Sequence, residues 1–175
     1  MLVKFLKEYT PSIVTKVVIW RKPEVGSYKC NTNGAFKGNP RPSSNGFCVR
    51  DSSDNFIYAE PSRLLDGNKL IAKAKALIAG LEFCILAHYT QVEMEIDSLT
   101  MKNVLKGIWE VPWEISLEVK KFKELRNNGV IRVEHVFREG NQMVDYFAKL
   151  FLNDCSFLIS NWIEAGVRWS GCYMH

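Results

Sequence analysis

The segment Gln91–Thr100, QVEMEIDSLT, constrains the fold more than any other stretch of the chain. Apolar and acidic residues alternate from Val92 to Ile96, which is the period of a strand with one buried face. The alternation stops at Asp97, and Ser98 is a suitable N-cap for a helix that follows. Polar groups at the carboxyl ends of strands form the functional sites of open α/β sheets. Asp97 is therefore a candidate site residue, although a role limited to the helix start stays open.

Composition limits the class of protein. The 175 residues are 47% hydrophobic and 24% charged, which is typical of one globular domain with or without tails. The net charge of +4 permits a polyanionic partner without requiring one.

The five cysteines form no CxxC pair, so we expect mostly buried thiols in a reducing compartment. No apolar run is long enough for a signal peptide or a membrane span. We expect an intracellular protein, nuclear or cytoplasmic, that is a monomer by default.

Hydrophobic periodicity predicts a mixed α/β fold in which helices pack on a five-stranded mixed sheet with three antiparallel leading strands. The predicted strands are Ser27–Ala35, Phe47–Arg50, Phe56–Ala59, Gln91–Ile96 and Val130–Arg138. The predicted helices are Asn68–His88, Ser98–Lys106, Trp113–Asn127 and Gln142–Leu152. We assign residues 1–19 to a lead-in that holds one short candidate strand, residues 20–153 to the domain, and residues 154–175 to a tail with one short candidate helix.

Six short motifs occur in order along the domain. They are WRKP, GSYKCNTNGA, VRDSSDN, AKAKALIAGL, EIDS and HVFREGNQMVDYFAK. In this order and spacing the chain resembles the ribonuclease H-like domains of the plant reverse-transcriptase-associated, retroelement-related family. The resemblance implies a ribonuclease H-like fold. In active members it also implies cleavage of the RNA strand of an RNA–DNA hybrid, with four carboxylates that hold two divalent metals, usually Mg²⁺.

Only two of the family's four metal-binding acids have an acidic residue at the matching position of this sequence. The resemblance places Asp97 and Asp145 at two of them, with the acid retained. Asn33 stands where the family has the aspartate of the first strand, and Lys73 where it has the glutamate of the long helix. The formal charge of the four positions changes from about −4 in the family to about −1 here. We therefore predict a weak or absent metal site at Asp97 and Asp145, with no cofactor.

An ammonium group at position 73 suggests its own partner. We predict that Lys73 pairs with Asp97 or Asp145, so that neither carboxylate is left unpaired in a partly buried cleft. Replacement of the lost acids by a neighbouring acid is not expected. The acids considered for that role are Asp51, Asp54, Glu60, Glu93 and Glu95.

The predicted function is a degenerate ribonuclease H-like domain that binds nucleic acid, either an RNA–DNA hybrid or a structured RNA, with little or no cleavage. Two alternatives stay open, namely an active metal-dependent hybrid ribonuclease and a non-catalytic protein-interaction or relic domain. We interpret His135 as structural. The candidate nucleic-acid contacts are Arg138, Asn141, Lys120, Lys121 and Lys123.

Overall fold

A computed structural model describes residues 17–38, 42–64 and 67–152, without the side chains of residues 150–152. Its strands form a five-stranded sheet in the order β3-β2-β1-β4-β5. The strands are β1 Tyr28–Phe36, β2 Ser43–Arg50, β3 Phe56–Leu64, β4 Gln91–Ile96 and β5 Val130–His135. The first three are antiparallel, and β4 runs parallel to both β1 and β5. The predicted mixed sheet with three antiparallel leading strands is confirmed.

Four α-helices and three 3₁₀ turns complete the described part of the chain. The α-helices are α1 Lys69–Leu86, α2 Leu99–Leu105, α3 Ser116–Leu125 and α4 Gln142–Leu152. The 3₁₀ turns are Trp113–Ile115, Arg126–Asn128 and Arg138–Asn141. Asn68 and Ser98 begin α1 and α2, because their side-chain oxygens accept hydrogen bonds from backbone N–H groups of the first turn. The predicted cap at Ser98 is therefore confirmed.

The helices lie on both faces of the sheet. Successive residues of a strand point to opposite faces. Cys30 of β1 points to α1, where a Cβ on Gly80 would lie 2.7 Å from its sulfur. Asn31 points to the other face and donates to Asn141, directly before α4. The larger apolar core fills the space between the sheet, α1 and α3. Its buried residues include Val49, Leu77, Leu81, Met94, Val104, Ile115, Val119 and Phe122.

Several predicted boundaries need correction. β2 begins at Ser43 rather than Phe47, because α4 covers this polar start and Ser44 donates to the carbonyl of Ala148. β3 continues to Leu64 through Pro61, which an edge strand tolerates. β5 ends at His135. The short strand predicted in the lead-in is absent from residues 17–20, and its first residues lie outside the described part, as does the helix predicted near Trp162.

Three cysteines lie within the described residues. Cys30, Cys48 and Cys84 are free and buried, as the sequence predicted for most of the thiols. Burial raises the pKa of Cys48 to about 12. None of the helices in the described residues combines the length and apolar character that a bilayer crossing requires.

Candidate functional site

The parallel strands bring the four predicted site positions to one edge of the sheet. Asp97 follows the last residue of β4, and Asn33 lies on the neighbouring β1 one residue beyond Thr32, the partner of Ile96. Lys73 reaches this edge from the second turn of α1, and Asp145 from the first turn of α4. The fold thus brings Asn33 and Asp145, which are 112 residues apart in the sequence, into contact.

Glycine at position 34 determines how closely Lys73 approaches the sheet. A Cβ on Gly34 would lie 2.4 Å from the backbone carbon of Ala72 and 2.4 Å from the backbone nitrogen of Lys73. These distances are shorter than van der Waals contact, so α1 can lie against β1 only because residue 34 has no side chain. The close approach places Lys73 beside the end of β4.

Lys73 forms an ion pair with Asp97. Its Nζ lies 2.5 Å from Oδ1 of Asp97, and the two side chains are only 11% and 6% exposed. The predicted pairing of Lys73 with one of the two retained aspartates is confirmed, and the partner is Asp97. The ammonium group is thus the cation that balances the Asp97 carboxylate.

Asn33 and Asp145 form the second half of the site. The Asn33 oxygen accepts from the backbone N–H of Gly34 at 2.8 Å, so its amide NH₂ faces away and donates to Oδ1 of Asp145 at 3.0 Å. Asp145 also pairs with Lys149 one helical turn later and with Arg138, whose Nη2 lies 3.5 Å from Oδ1. Three protein donors therefore surround this carboxylate.

This set of donors does not fit a pair of divalent cations. A hard cation such as Mg²⁺ needs several oxygen ligands that are free to coordinate it. Here both carboxylates are held by cationic side chains, and the Asn33 oxygen is occupied by a backbone N–H. The described residues contain no group of three or more His, Cys, Asp or Glu side chains arranged to hold a metal ion.

The other acids that were considered as replacement ligands form ion pairs or hydrogen bonds with other residues. Glu95 pairs with Lys29 at 2.9 Å and accepts from Asn31 at 2.6 Å. Asp54 pairs with Arg50, and Asp51 accepts from backbone N–H groups of its own turn. The further contacts are Glu93 with Lys29 and Glu60 with the hydroxyl of Tyr58.

Comparison with known proteins identifies the family. The model of the family described as "Reverse transcriptase-like" matches residues 31–151. The chain belongs to the reverse transcriptase-like family. A relative from Arabidopsis thaliana, named provisionally as a ribonuclease H protein, is 27% identical over 163 residues. That match covers 83% of this chain, which spans about a quarter of the relative's length (26%).

Solved structures show that the domain has the ribonuclease H fold. RNase H1 of the halophilic archaeon Halobacterium salinarum superposes with a TM-score of 0.70 at 24% identity, covering 74% of this chain and 99% of that one. LC11-RNase H1, solved in complex with an RNA/DNA hybrid, gives a TM-score of 0.69 at 20% identity, with 74% and 99% coverage. The fold expected from the resemblance is confirmed.

One feature of this reverse transcriptase-like domain was not predicted, namely a buried ionic network behind the site. Lys29 and Arg50 are only 1% and 2% exposed. Lys29 pairs with Glu93 and Glu95, while Arg50 donates to Asn31 at 3.1 Å. The alternation in β1 indicated that Lys29 and Asn31 share a face. It could not show that this face is covered.

The segment of residues 17–24 helps to cover that network. The Arg50 guanidinium carbon lies 3.7 Å from the centre of the Trp20 ring, and Trp20 Nε1 donates to Asp54 at 3.3 Å. Lys29 donates to the carbonyl of Arg21 at 3.0 Å. A cation over an indole face and two hydrogen bonds therefore fix this segment, although it has no regular secondary structure.

Asn141 makes structural contacts within the protein, and its predicted contact with nucleic acid stays a prediction. Asn141 is 1% exposed, donates to the carbonyl of Thr32 at 3.0 Å and accepts from Asn31 at 3.1 Å. These contacts join the start of α4 to β1, so Asn141 positions the helix that carries Asp145. Arg138, by contrast, is 60% exposed and lies beside Asp145.

The basic face of α3 lies away from the four site positions. Asn68 at the start of α1 contacts Glu114, and Lys121 pairs with Glu82 at 2.6 Å, so α3 runs beside α1 in the same direction. Glu82 is nine residues beyond Lys73, which corresponds to about 13 Å along the helix. Lys120, Lys121 and Lys123 are exposed there. The structure thus does not bring them together with Asp97 and Asp145, and a nucleic-acid contact at α3 stays a prediction.

His135 ends β5 near the site. It is half-buried, and its ring meets that of Phe137 edge to face. Burial lowers the pKa of His135, and the nearby Lys102 and Lys73 lower it further against the opposing effect of Asp97. The contact with Phe137 supports the interpretation that His135 is structural.

Proposed function

We propose that this domain is a catalytically silent member of the reverse transcriptase-like family that binds an RNA–DNA hybrid, or a structured RNA, without cleaving it. Its fold is that of ribonuclease H domains, one of which was solved with a bound hybrid. Duplexes with A-like geometry are recognised through their shape, backbone and 2′-hydroxyl groups, and none of these contacts requires catalysis.

The observation that carries the proposal is the Lys73–Asp97 ion pair. A lysine ammonium 4–5 Å from a divalent ion opposes its binding by about 7 kcal/mol at an effective dielectric of 20. This energy corresponds to several powers of ten in affinity. The ammonium group therefore excludes the divalent ion on which hydrolysis in this family depends.

The second retained acid supports the same conclusion. Asp145 receives hydrogen bonds from a neutral amide and from two cations, so its charge is balanced within the protein. In a site with four acids, mutual repulsion between carboxylates is relieved by metal binding, and this provides part of the driving force for it. That driving force is missing where the carboxylates already have partners.

The decisive experiment combines binding and cleavage of a labelled RNA–DNA hybrid. The wild-type chain is compared with the double variant Asn33→Asp, Lys73→Glu, in Mg²⁺, in Mn²⁺ and in EDTA. A matched control, Asn128→Asp with Lys106→Glu, makes the same change of charge at exposed positions outside the four site positions. Circular dichroism establishes that each variant is folded.

We expect the wild-type chain to bind the hybrid in a salt-dependent manner without cutting it, and the double variant alone to gain metal-dependent cleavage. Cleavage by the wild-type chain would overturn the proposal and support the active ribonuclease. Absence of binding at moderate salt would support the protein-interaction or relic domain instead.

A further inference from the structure

An open groove of about 360 Å³ adjoins the site on the outer side of α4. Side chains from the last 3₁₀ turn and the first two turns of the helix line it. These residues are Arg138, Glu139, Gln142, Asp145, Tyr146 and Lys149. The groove therefore includes one of the two retained site acids.

Two cations of this groove are accessible. The side chains of Arg138 and Lys149 are 60% and 49% exposed, whereas that of Asp145 is 15% exposed. Both cations rest against the Asp145 carboxylate, and each is long enough to turn outwards. A planar guanidinium and a compact ammonium are the two groups with which proteins most often bind phosphate.

The substitution at Asn33 allows these cations to change partner. Its amide donates to Asp145 from a position that is 2% exposed, and its oxygen is fixed by the N–H of Gly34. If Arg138 and Lys149 turn to a ligand, Asp145 keeps this buried neutral donor. An aspartate at position 33 would instead add a second negative charge and hold the cations in place.

We propose that Arg138 and Lys149 bind a phosphodiester of the nucleic-acid backbone in this groove, in the absence of any divalent cation. The inference rests on the proposed function and names the chemistry by which the site holds its ligand. Tyr146 is 57% exposed at the same groove and offers a ring face to an adjacent base or sugar.

The groove also sets a limit on affinity. Its two cations face two carboxylates, Glu139 and Asp145, so its formal charge is zero. Affinity at this site is therefore modest and strongly dependent on salt. Replacing Glu139 by glutamine leaves the cations in place and removes a repulsive charge, so it strengthens binding.

The test uses fluorescence anisotropy of the full chain with a labelled RNA–DNA hybrid, in EDTA, over a series of salt concentrations. The test variant is Arg138→Ala with Lys149→Ala. The matched control is Arg132→Ala with Lys106→Ala, whose side chains are similarly exposed at 63% and 43% and also pair with carboxylates. Glu139→Gln is measured alongside.

We expect wild-type binding in EDTA and a loss of tenfold or more in the test variant. The slope of log affinity against log salt should decrease by about 1, since one phosphate contact contributes about 0.9. The control should change affinity less than threefold, and Glu139→Gln should increase it about two- to fivefold. Asn33→Asp should weaken binding in EDTA.

Equal losses in the test and control variants would overturn this inference and leave the proposed function intact. Binding that requires Mg²⁺ would also overturn it. If the wild-type chain does not bind the hybrid at all, the proposed function fails as well, and the two failures are therefore distinguishable.

Discussion

Removing the Lys73 ammonium should destabilise the domain, because it leaves the Asp97 carboxylate buried without its cation. At 2.5 Å the two charges attract by roughly 6–7 kcal/mol at an effective dielectric near 20, most of which is offset by desolvation. Breaking such a pair from one side costs about 3 kcal/mol, since the remaining charge is uncompensated. We expect Lys73→Met to lower the free energy of unfolding by about that amount, which corresponds to about 6–12 °C in Tm for a chain of this size.

A double-mutant cycle isolates this pair. The variants Lys73→Met, Asp97→Asn and their combination are unfolded in urea, and the coupling energy is taken from the extrapolated free energies. We expect a coupling of about 2 kcal/mol or more, so that the double variant is more stable than the sum of the single losses predicts. The exposed pair Lys121–Glu82, with side chains 51% and 40% exposed, is the control and should give about 0–1 kcal/mol. Equal coupling in the two pairs would refute the reasoning that burial makes the Lys73–Asp97 contact strong.

Three further predictions follow from other parts of the fold. Gly34→Ala places a Cβ against the backbone of α1 and should cost about 3 kcal/mol or more in urea unfolding, with α1 displaced and metal-free hybrid binding weakened. Arg50→Met leaves Asn31 and Asp54 without their buried cationic partner and should cost about 3–5 kcal/mol, whereas Arg132→Met on the surface should stay within about 0.5 kcal/mol. Burial lowers the pKa of His135 from 6.5, so the unfolded chain binds more protons than the folded chain just below that pH. The free energy of unfolding therefore decreases as the pH falls through 6.5. In His135→Gln the difference in urea midpoint between pH 7.5 and pH 5 should be smaller than in the wild-type chain.

Much of the fold follows from local sequence patterns. The alternation before Asp97, the Ser98 cap and the apolar stripe of Gln142–Leu152 predict a strand, a turn and a helix that the structure has at those positions. These elements are specified by residues within about one turn or one strand of each other, so the sequence is sufficient.

Other parts depend on contacts between distant residues. The Ser43–Asn45 start of β2 has the composition of a turn, and it becomes buried strand only because α4 lies over it. The network of Lys29 and Arg50 needs partners up to 66 residues away, counted from Lys29 to Glu95, and no local pattern indicates burial of such charges. At the site, the resemblance named four positions, and the structure brings Lys73 to Asp97 and Asn33 to Asp145. The resemblance could not show that Lys73 forms its ion pair with Asp97, or that Asp145 accepts a hydrogen bond from Asn33.

The contacts of residues 17–24 bear on where a stable form of this domain can begin. The match to the family model starts at residue 31, and the first strand starts at Tyr28, so a shortened chain could be designed to begin at either position. Both would remove the indole that shields the Arg50 guanidinium and the carbonyl that receives Lys29, and would admit water to the salt links that join the middle strands. We therefore predict that the smallest stable unit includes Trp20 and Arg21, because their contacts shield the charges of Arg50 and Lys29 from water.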